Sequence, residues 1–176
     1  MEEYIITDED SSIHWKFFDV KDRAVLDLGC GRWYTEVFEE FSPVYFERQG
    51  ATRVIGIDSN EQEIEFYVNA LKNNDKFVFE TVNIQTTQDI IDLLNKYPEV
   101  TALKCDIEGF ESTLLDLTSD QLKHIDELAI EVHSKELNDL FRNKIQEWGF
   151  TLKLYASITH NLDRLGVLFC TRGVNR

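Results

Sequence analysis

Short apolar runs alternate with amphipathic stretches along almost the whole chain. The run at Ala24–Leu28 is nearly continuous and aliphatic, as expected for a strand buried on both faces. Runs at 53–57, 77–82, 102–107 and Glu127–Val132 predict four more strands. Between them the apolar residues recur at helical spacing. Val37, Phe38, Phe41, Val44 and Tyr45 do so within 35–50, and Ile64, Tyr67 and Leu71 within 61–72. Ile90, Ile91 and Leu94 follow Thr86 or Thr87 as helix cap, and Leu137, Leu140, Phe141, Ile145 and Trp148 follow Ser134. Pro43 is expected to interrupt the first of these helices, with Ser42 capping a second short one. The stretch 110–125 reads as largely helical.

Two final strands, 151–156 and Gly166–Thr171, have no helix between them and should pair antiparallel. Strand–helix alternation with right-handed crossovers gives an α/β fold with helices on both faces of a seven-stranded sheet. The sheet is mostly parallel, with one antiparallel strand. Residues 1–12 are acidic and stand outside this pattern, so the chain divides into an N-terminal segment, 1–19, and one domain, 20–176. Near that boundary His14-Trp15-Lys16-Phe17-Phe18 is an aromatic patch, placed either against the sheet edge or over the site as a lid.

Composition narrows the function by exclusion. A net charge of −15 and the absence of a basic stripe argue against nucleic acid and against an anionic membrane surface. No apolar run has the length of a membrane span, and the first residues lack a signal peptide's pattern. Cys30, Cys105 and Cys170 fit no metal spacing and read as buried thiols in a reducing, cytoplasmic setting.

In an open α/β sheet, ligands bind at the carboxyl ends of the strands, where strand order reverses. After the first strand stands Asp27-Leu28-Gly29-Cys30-Gly31. Glycines there admit close backbone approach, and loop amides with a helix N-terminus suit a carboxylate. A dinucleotide fingerprint would need a third glycine at Tyr34, which weakens a nicotinamide reading. After the second strand, Asp58 can accept from both ribose hydroxyls or cap the next helix in competition with Ser59 and Asn60. Asn83 follows the third. After the fourth, Lys104-Cys105-Asp106-Ile107-Glu108-Gly109-Phe110-Glu111 sends Asp106 and Glu108 out on one face. Buried Lys104 reads as the partner of a neighbouring acid. After the fifth, Glu131 and His133 repeat that spacing, and a histidine there can accept a hydroxyl proton. Asp106, Glu108, Glu131 and His133 can also form an oxygen-rich divalent metal site. His160, Asn161 and Arg164 lie between the last two strands, either as substrate contacts or as an ordinary polar loop.

The Asp27-x-Gly29-x-Gly31 segment resembles the cofactor loop of S-adenosylmethionine (SAM) methyltransferases. The pattern Lys-x-Asp-x-Glu-Gly-x-Glu at 104–111 resembles the FkbM family of methyltransferases. The resemblance covers residues 20–174 and implies the Rossmann-like class I methyltransferase fold. It implies O-methylation of a small molecule, sugar or natural product, with SAM as cofactor. The implied cofactor contacts are Asp27, at the cofactor's amino end, Gly29, Cys30, Gly31, Asp58, Ser59 and Asn83 at the adenine. The implied catalytic residues are Asp106, His133 and Glu108; a magnesium ion, if used, would sit on Asp106, Glu131 and His133. Two features depart from the family pattern. Trp33 takes the place of the loop's usual third glycine, and the chain has no insertion to complete a substrate pocket. They leave a homodimer open and keep one alternative function, a catalytically inactive methyltransferase-like binding or assembly module.

Overall fold

The structure is a computed structural model, and it describes residues 2–6, 15–32, 37–158 and 166–173. Among these residues eight strands form one sheet: β1 (Glu2–Ile6), β2 (Ala24–Leu28), β3 (Arg53–Asp58), β4 (Phe77–Thr81), β5 (Val100–Cys105), β6 (Glu127–Val132), β7 (Thr151–Ile158) and β8 (Gly166–Thr171). Their order is β1-β7-β8-β6-β5-β2-β3-β4. Only β8 runs against its neighbours. The seven predicted strands are all present. The eighth, β1, pairs parallel to β7 at the sheet edge, so the N-terminal segment contributes backbone to the fold. Tyr4, Ile5 and Ile6 are strand-forming types, but five residues in an acidic context give too weak a period-two signal to read.

Among the described residues, four α-helices connect the strands: α1 (Ser42–Arg48), α2 (Glu61–Leu71), α3 (Thr87–Lys96) and α4 (Lys135–Glu147). Thr86 caps α3 in a capping box with Asp89, and the Ser134 side chain accepts from the Leu137 amide at the start of α4. The interruption expected at Pro43 is present, between a 3-10 turn at Phe38–Glu40 and α1. Ser42 is not the cap, however. Phe41 holds that position, and the Ser42 hydroxyl instead donates to buried Asp27 Oδ2 at 2.7 Å. The helix expected over 110–125 is a 3-10 helix at Glu111–Asp116 followed by turns. Thr118 and Gln121 exchange side chain–backbone bonds there and divert the chain from helix. Leu114, Leu117, Leu122 and Ile125 are still buried, so their spacing recorded a core face rather than a helix.

Alternation along β2 divides the core. Leu26 and Leu28 face the cluster that holds Leu103, Cys105, Ile90, Phe141 and Trp148. Val25 faces the opposite cluster of Val54, Ala102, Ala129 and Phe169, covered by Trp15, Phe18 and Phe46. Trp15 and Phe18 therefore pack on a sheet face and do not form a lid; His14 lies outside the described residues.

Candidate functional site at the topological switch point

Strand order reverses between β2 and β5, and the carboxyl ends of these strands are where a ligand crevice is expected. The joint between them is tight. Gly29 has φ 77°, and a Cβ on it would lie 1.6 Å from the Asp106 carbonyl oxygen. The Asp106 amide donates to Leu28 O, while the Gly29 and Cys30 amides donate to Ile57 O at 2.8 and 3.1 Å. Those two amides serve the loop itself. A cavity of about 500 Å³ opens above it, with Gly29 and Gly31 at the β2 end, Asp58 and Asn83 beyond β3 and β4, and Asp106 and Glu108 beyond β5.

Seven of the predicted site residues line this cavity: Gly29, Gly31, Asp58, Ser59, Asn83, Asp106 and Glu108. Asp58 Oδ1 accepts the Asn60 amide at 2.8 Å, and Asn60 is the cap of α2, so Asp58 steadies that turn from the cavity wall. Cys30 is buried outside the cavity. Burial and the nearby Asp27 carboxylate push its thiol well above the ordinary range, which leaves it unreactive.

Asp27 also lies outside the cavity. It is fully buried below the loop, with Oδ1 3.0 Å from Lys104 Nζ. The ammonium donates to Gly29 O at 2.5 Å, lies 3.7 Å from Asp106 Oδ2 and stands 4.8 Å from the Trp15 ring centroid. Burial alone would lower its pKa, but Asp27 and Asp106 outweigh that effect and raise it. Lys104 is thus the partner of neighbouring acids, as its place in a central strand requires.

Behind Asp106 and Glu108 stands His133. Its Nε2 is 3.6 Å from Glu108 Oε2, 3.9 Å from Glu131 Oε1 and 4.0 Å from Asp106 Oδ1. Its Nδ1 is 3.1 Å from Glu111 Oε1. Glu111 is fully buried and also accepts from the amides of Ile107 and Gly109. It therefore shapes the whole loop 106–111, where Glu108 sits at φ 47° and Gly109 at φ 95°. The Glu111 carboxylate, 3.1 Å away, is the largest influence on His133 and, against the cost of burial, helps raise it to about 9. Burial pushes the Asp106 carboxyl up to about 7; Glu131 adds to the rise, and Lys104 and His133 oppose it.

Sequence reasoning did not single out Glu111, Arg32 or Glu63. Glu111 had a signal, as the last acid of the 104–111 pattern. Arg32 and Glu63 had none, because their pairing across 31 residues appears only in three dimensions. Trp33, Tyr34, His160, Asn161 and Arg164 lie outside the described residues.

No family model and no curated protein matches the chain. Solved structures do. A protein of Streptococcus pneumoniae in complex with SAM, provisionally designated a tRNA (m1A22) methyltransferase, superposes with TM-score 0.67 at 16% identity, over 97% of this chain and 75% of that one. This chain has the fold of the SAM-dependent methyltransferases. A second structure of that fold, a methyltransferase by provisional designation from Streptococcus mutans with bound S-adenosylhomocysteine (SAH), gives 0.60 at 18% identity, over 94% of this chain and 97% of that one. The ribosomal protein L11 methylase of Lactobacillus delbrueckii subsp. bulgaricus gives 0.58 at 18%, covering 87% of this chain and 71% of that one. No helix among the described residues is long and apolar enough to cross a membrane.

Proposed function

We propose that this protein is a SAM-dependent methyltransferase of the FkbM type, acting on a hydroxyl oxygen of a small molecule, sugar or natural product. The observation that carries the reading is the switch-point cavity. It has a glycine loop at its floor, the Asp58 carboxylate on one wall and Asp106 with Glu108 on the other. Asp58 suits two ribose hydroxyls, Ser59 and Asn83 flank the adenine, and the acids across the cavity suit a sulfonium cation and the acceptor beside it. The FkbM assignment rests on the 104–111 pattern alone. The acceptor is read as other than nucleic acid because the chain carries a net charge of −15 and Arg32 is the only base among the described residues lining the cavity.

The reaction is an in-line displacement. A hydroxyl oxygen bonds to the methyl carbon, the carbon–sulfur bond breaks with its electron pair on sulfur, and SAH leaves. The protein holds the partners in line and excludes water. The hydroxyl proton goes to Asp106, whose carboxyl, raised to about 7, is matched to neutral pH. His133, raised to about 9 beside Glu111, is an imidazolium at that pH and cannot take the proton. It acts instead as a fixed positive charge behind Asp106, and Glu108 orients the acceptor.

A divalent cation is an alternative to that arrangement: it would fit the same residues once His133 gave up its Nε2 proton and became a neutral ligand. Asp106, Glu108 and His133 each offer a ligand atom within 4.8 Å of the others, and Asp106 Oδ1 is a buried acceptor without a hydrogen-bond donor. Glu108 joins this set more closely than Glu131, and the carboxylate on Nδ1 is the usual support of a metal-binding imidazole. A bound cation would polarise the acceptor hydroxyl.

Calorimetric titration with SAM and SAH tests the reading. One-to-one binding of both is expected; no heat and no thermal shift at millimolar ligand rejects it.

A further inference from the structure

The cavity presents a charge problem to the ligand proposed above. SAM carries two cationic groups, which the cavity acids accommodate, and one carboxylate, which they repel. The described residues lining the cavity include Asp58, Glu63, Asp106 and Glu108 against a single base, Arg32. The Gly29 and Cys30 amides are already engaged with Ile57 O.

Arg32 follows the loop directly and is shaped for a carboxylate. Its Nε and one terminal nitrogen donate to the two oxygens of Glu63 at 2.5 and 2.9 Å, the bidentate geometry of an arginine–carboxylate fork. Its planar face lies 3.9 Å above the Phe66 ring centroid, which sets its orientation from below. The pair stands at the cavity wall, with the Arg32 side chain one-third exposed, so Glu63 holds the guanidinium where a ligand carboxylate can displace it.

Resting on the methyltransferase reading, we infer that Arg32 is the residue that binds the carboxylate of the cofactor's methionine portion, with Glu63 as its internal competitor. Arg32 exchanges one carboxylate for another of the same geometry, so its charge stays paired throughout. The exchange makes the amino-acid portion of the ligand a condition of tight binding, and compounds carrying adenosine and sulfur alone lose that contact.

The test compares SAM with 5′-methylthioadenosine, which keeps the adenosine and the sulfur but lacks the amino-acid portion. Binding of both is measured by calorimetry to the wild type, Arg32→Ala, Arg32→Lys and Glu63→Gln, with circular dichroism verifying the fold of each. Arg32→Ala is expected to weaken SAM about tenfold to a hundredfold and to change methylthioadenosine by less than about twofold. Arg32→Lys is expected to recover part of the SAM affinity, because the charge remains and the fork does not. Glu63→Gln, which removes the competitor, is expected to tighten SAM and leave methylthioadenosine unchanged. Equal weakening of both compounds by Arg32→Ala, or none of either, overturns the inference, as does a Glu63→Gln variant that weakens both alike. Wild-type protein that binds no SAM refutes the methyltransferase reading itself; SAM binding that ignores Arg32 refutes only this inference.

Discussion

Asp27 gives the sharpest separation between a structural and a cofactor-binding role. Its carboxylate pairs at 3.0 Å with Lys104 Nζ, and the two side chains are 0% and 1% exposed. Asp27→Asn removes the charge but keeps the volume and an acceptor for Ser42. It leaves a buried ammonium whose remaining acid, Asp106, is 3.7 Å away. Breaking a buried pair from one side costs about 3–5 kcal/mol. For a domain of this size that is roughly a 6–20 °C fall in Tm. The double variant Asp27→Leu/Lys104→Met removes both charges and is expected to recover most of that loss. It should fall short by about 2 kcal/mol, because the Ser42 hydroxyl loses its acceptor and the Gly29 carbonyl loses its donor. The assay is thermal and urea unfolding of wild type, single and double variants, each followed by SAM calorimetry. Most of the SAM affinity should return with stability in the double variant, since neither residue lines the cavity and only the Lys104 contacts to Gly29 O and Asp106 are lost. A single variant with wild-type Tm that has lost SAM, or a double variant with restored Tm that still binds none, would refute the reasoning and return Asp27 to the cofactor.

Three further outcomes follow from the same geometry. Gly29→Ala, whose Cβ would meet the Asp106 carbonyl at 1.6 Å, should cost roughly 4 kcal/mol or more in urea unfolding. Gly109→Ala, with open space around it and only φ 95° to accommodate, should cost about 1 kcal/mol. In an NMR titration His133 should lose its proton near pH 9, and in Glu111→Gln that midpoint should move down towards the ordinary 6.5. Because the folded value is the higher one, His133 contributes stability that is fully present below pH 6.5 and is lost as pH rises through 9. Asp106→Asn should lower methyl transfer by about 10²–10⁴-fold and abolish the rise in rate near pH 7, while SAH binding persists.

The fold was legible because strand and helix periods differ so clearly along this chain. Buried parallel strands are continuous apolar runs, and those at Ala24–Leu28 and Glu127–Val132 are buried at every position. Where side chains compete for the backbone, pattern misleads: 110–125 has helical spacing, but Thr118 and Gln121 close a local turn instead. The same limit applied to Ser42, whose hydroxyl has a better partner in Asp27 than in its own helix.

Strand-end logic located the candidate site well, since any residue just past a parallel strand must stand on one rim. It could not tell which side chains point into the cavity. Asp27 is the last but one residue of β2 and alternates onto the face with Lys104, one step short of the rim. His133 reaches the rim but stands behind Asp106 and Glu108, held there by Glu111. The Arg32–Glu63 fork depends on how a loop and the first turn of α2 come together, which no local pattern records.

Cofactor binding in the switch-point cavity is decided by a crystal structure of the protein with SAH. The ribose hydroxyls are expected on Asp58, the adenine beside Asn83 and the sulfur facing Asp106 across the switch-point cavity. SAH bound elsewhere, or in that cavity with Asp58 and Asp106 both out of contact, would contradict that placement.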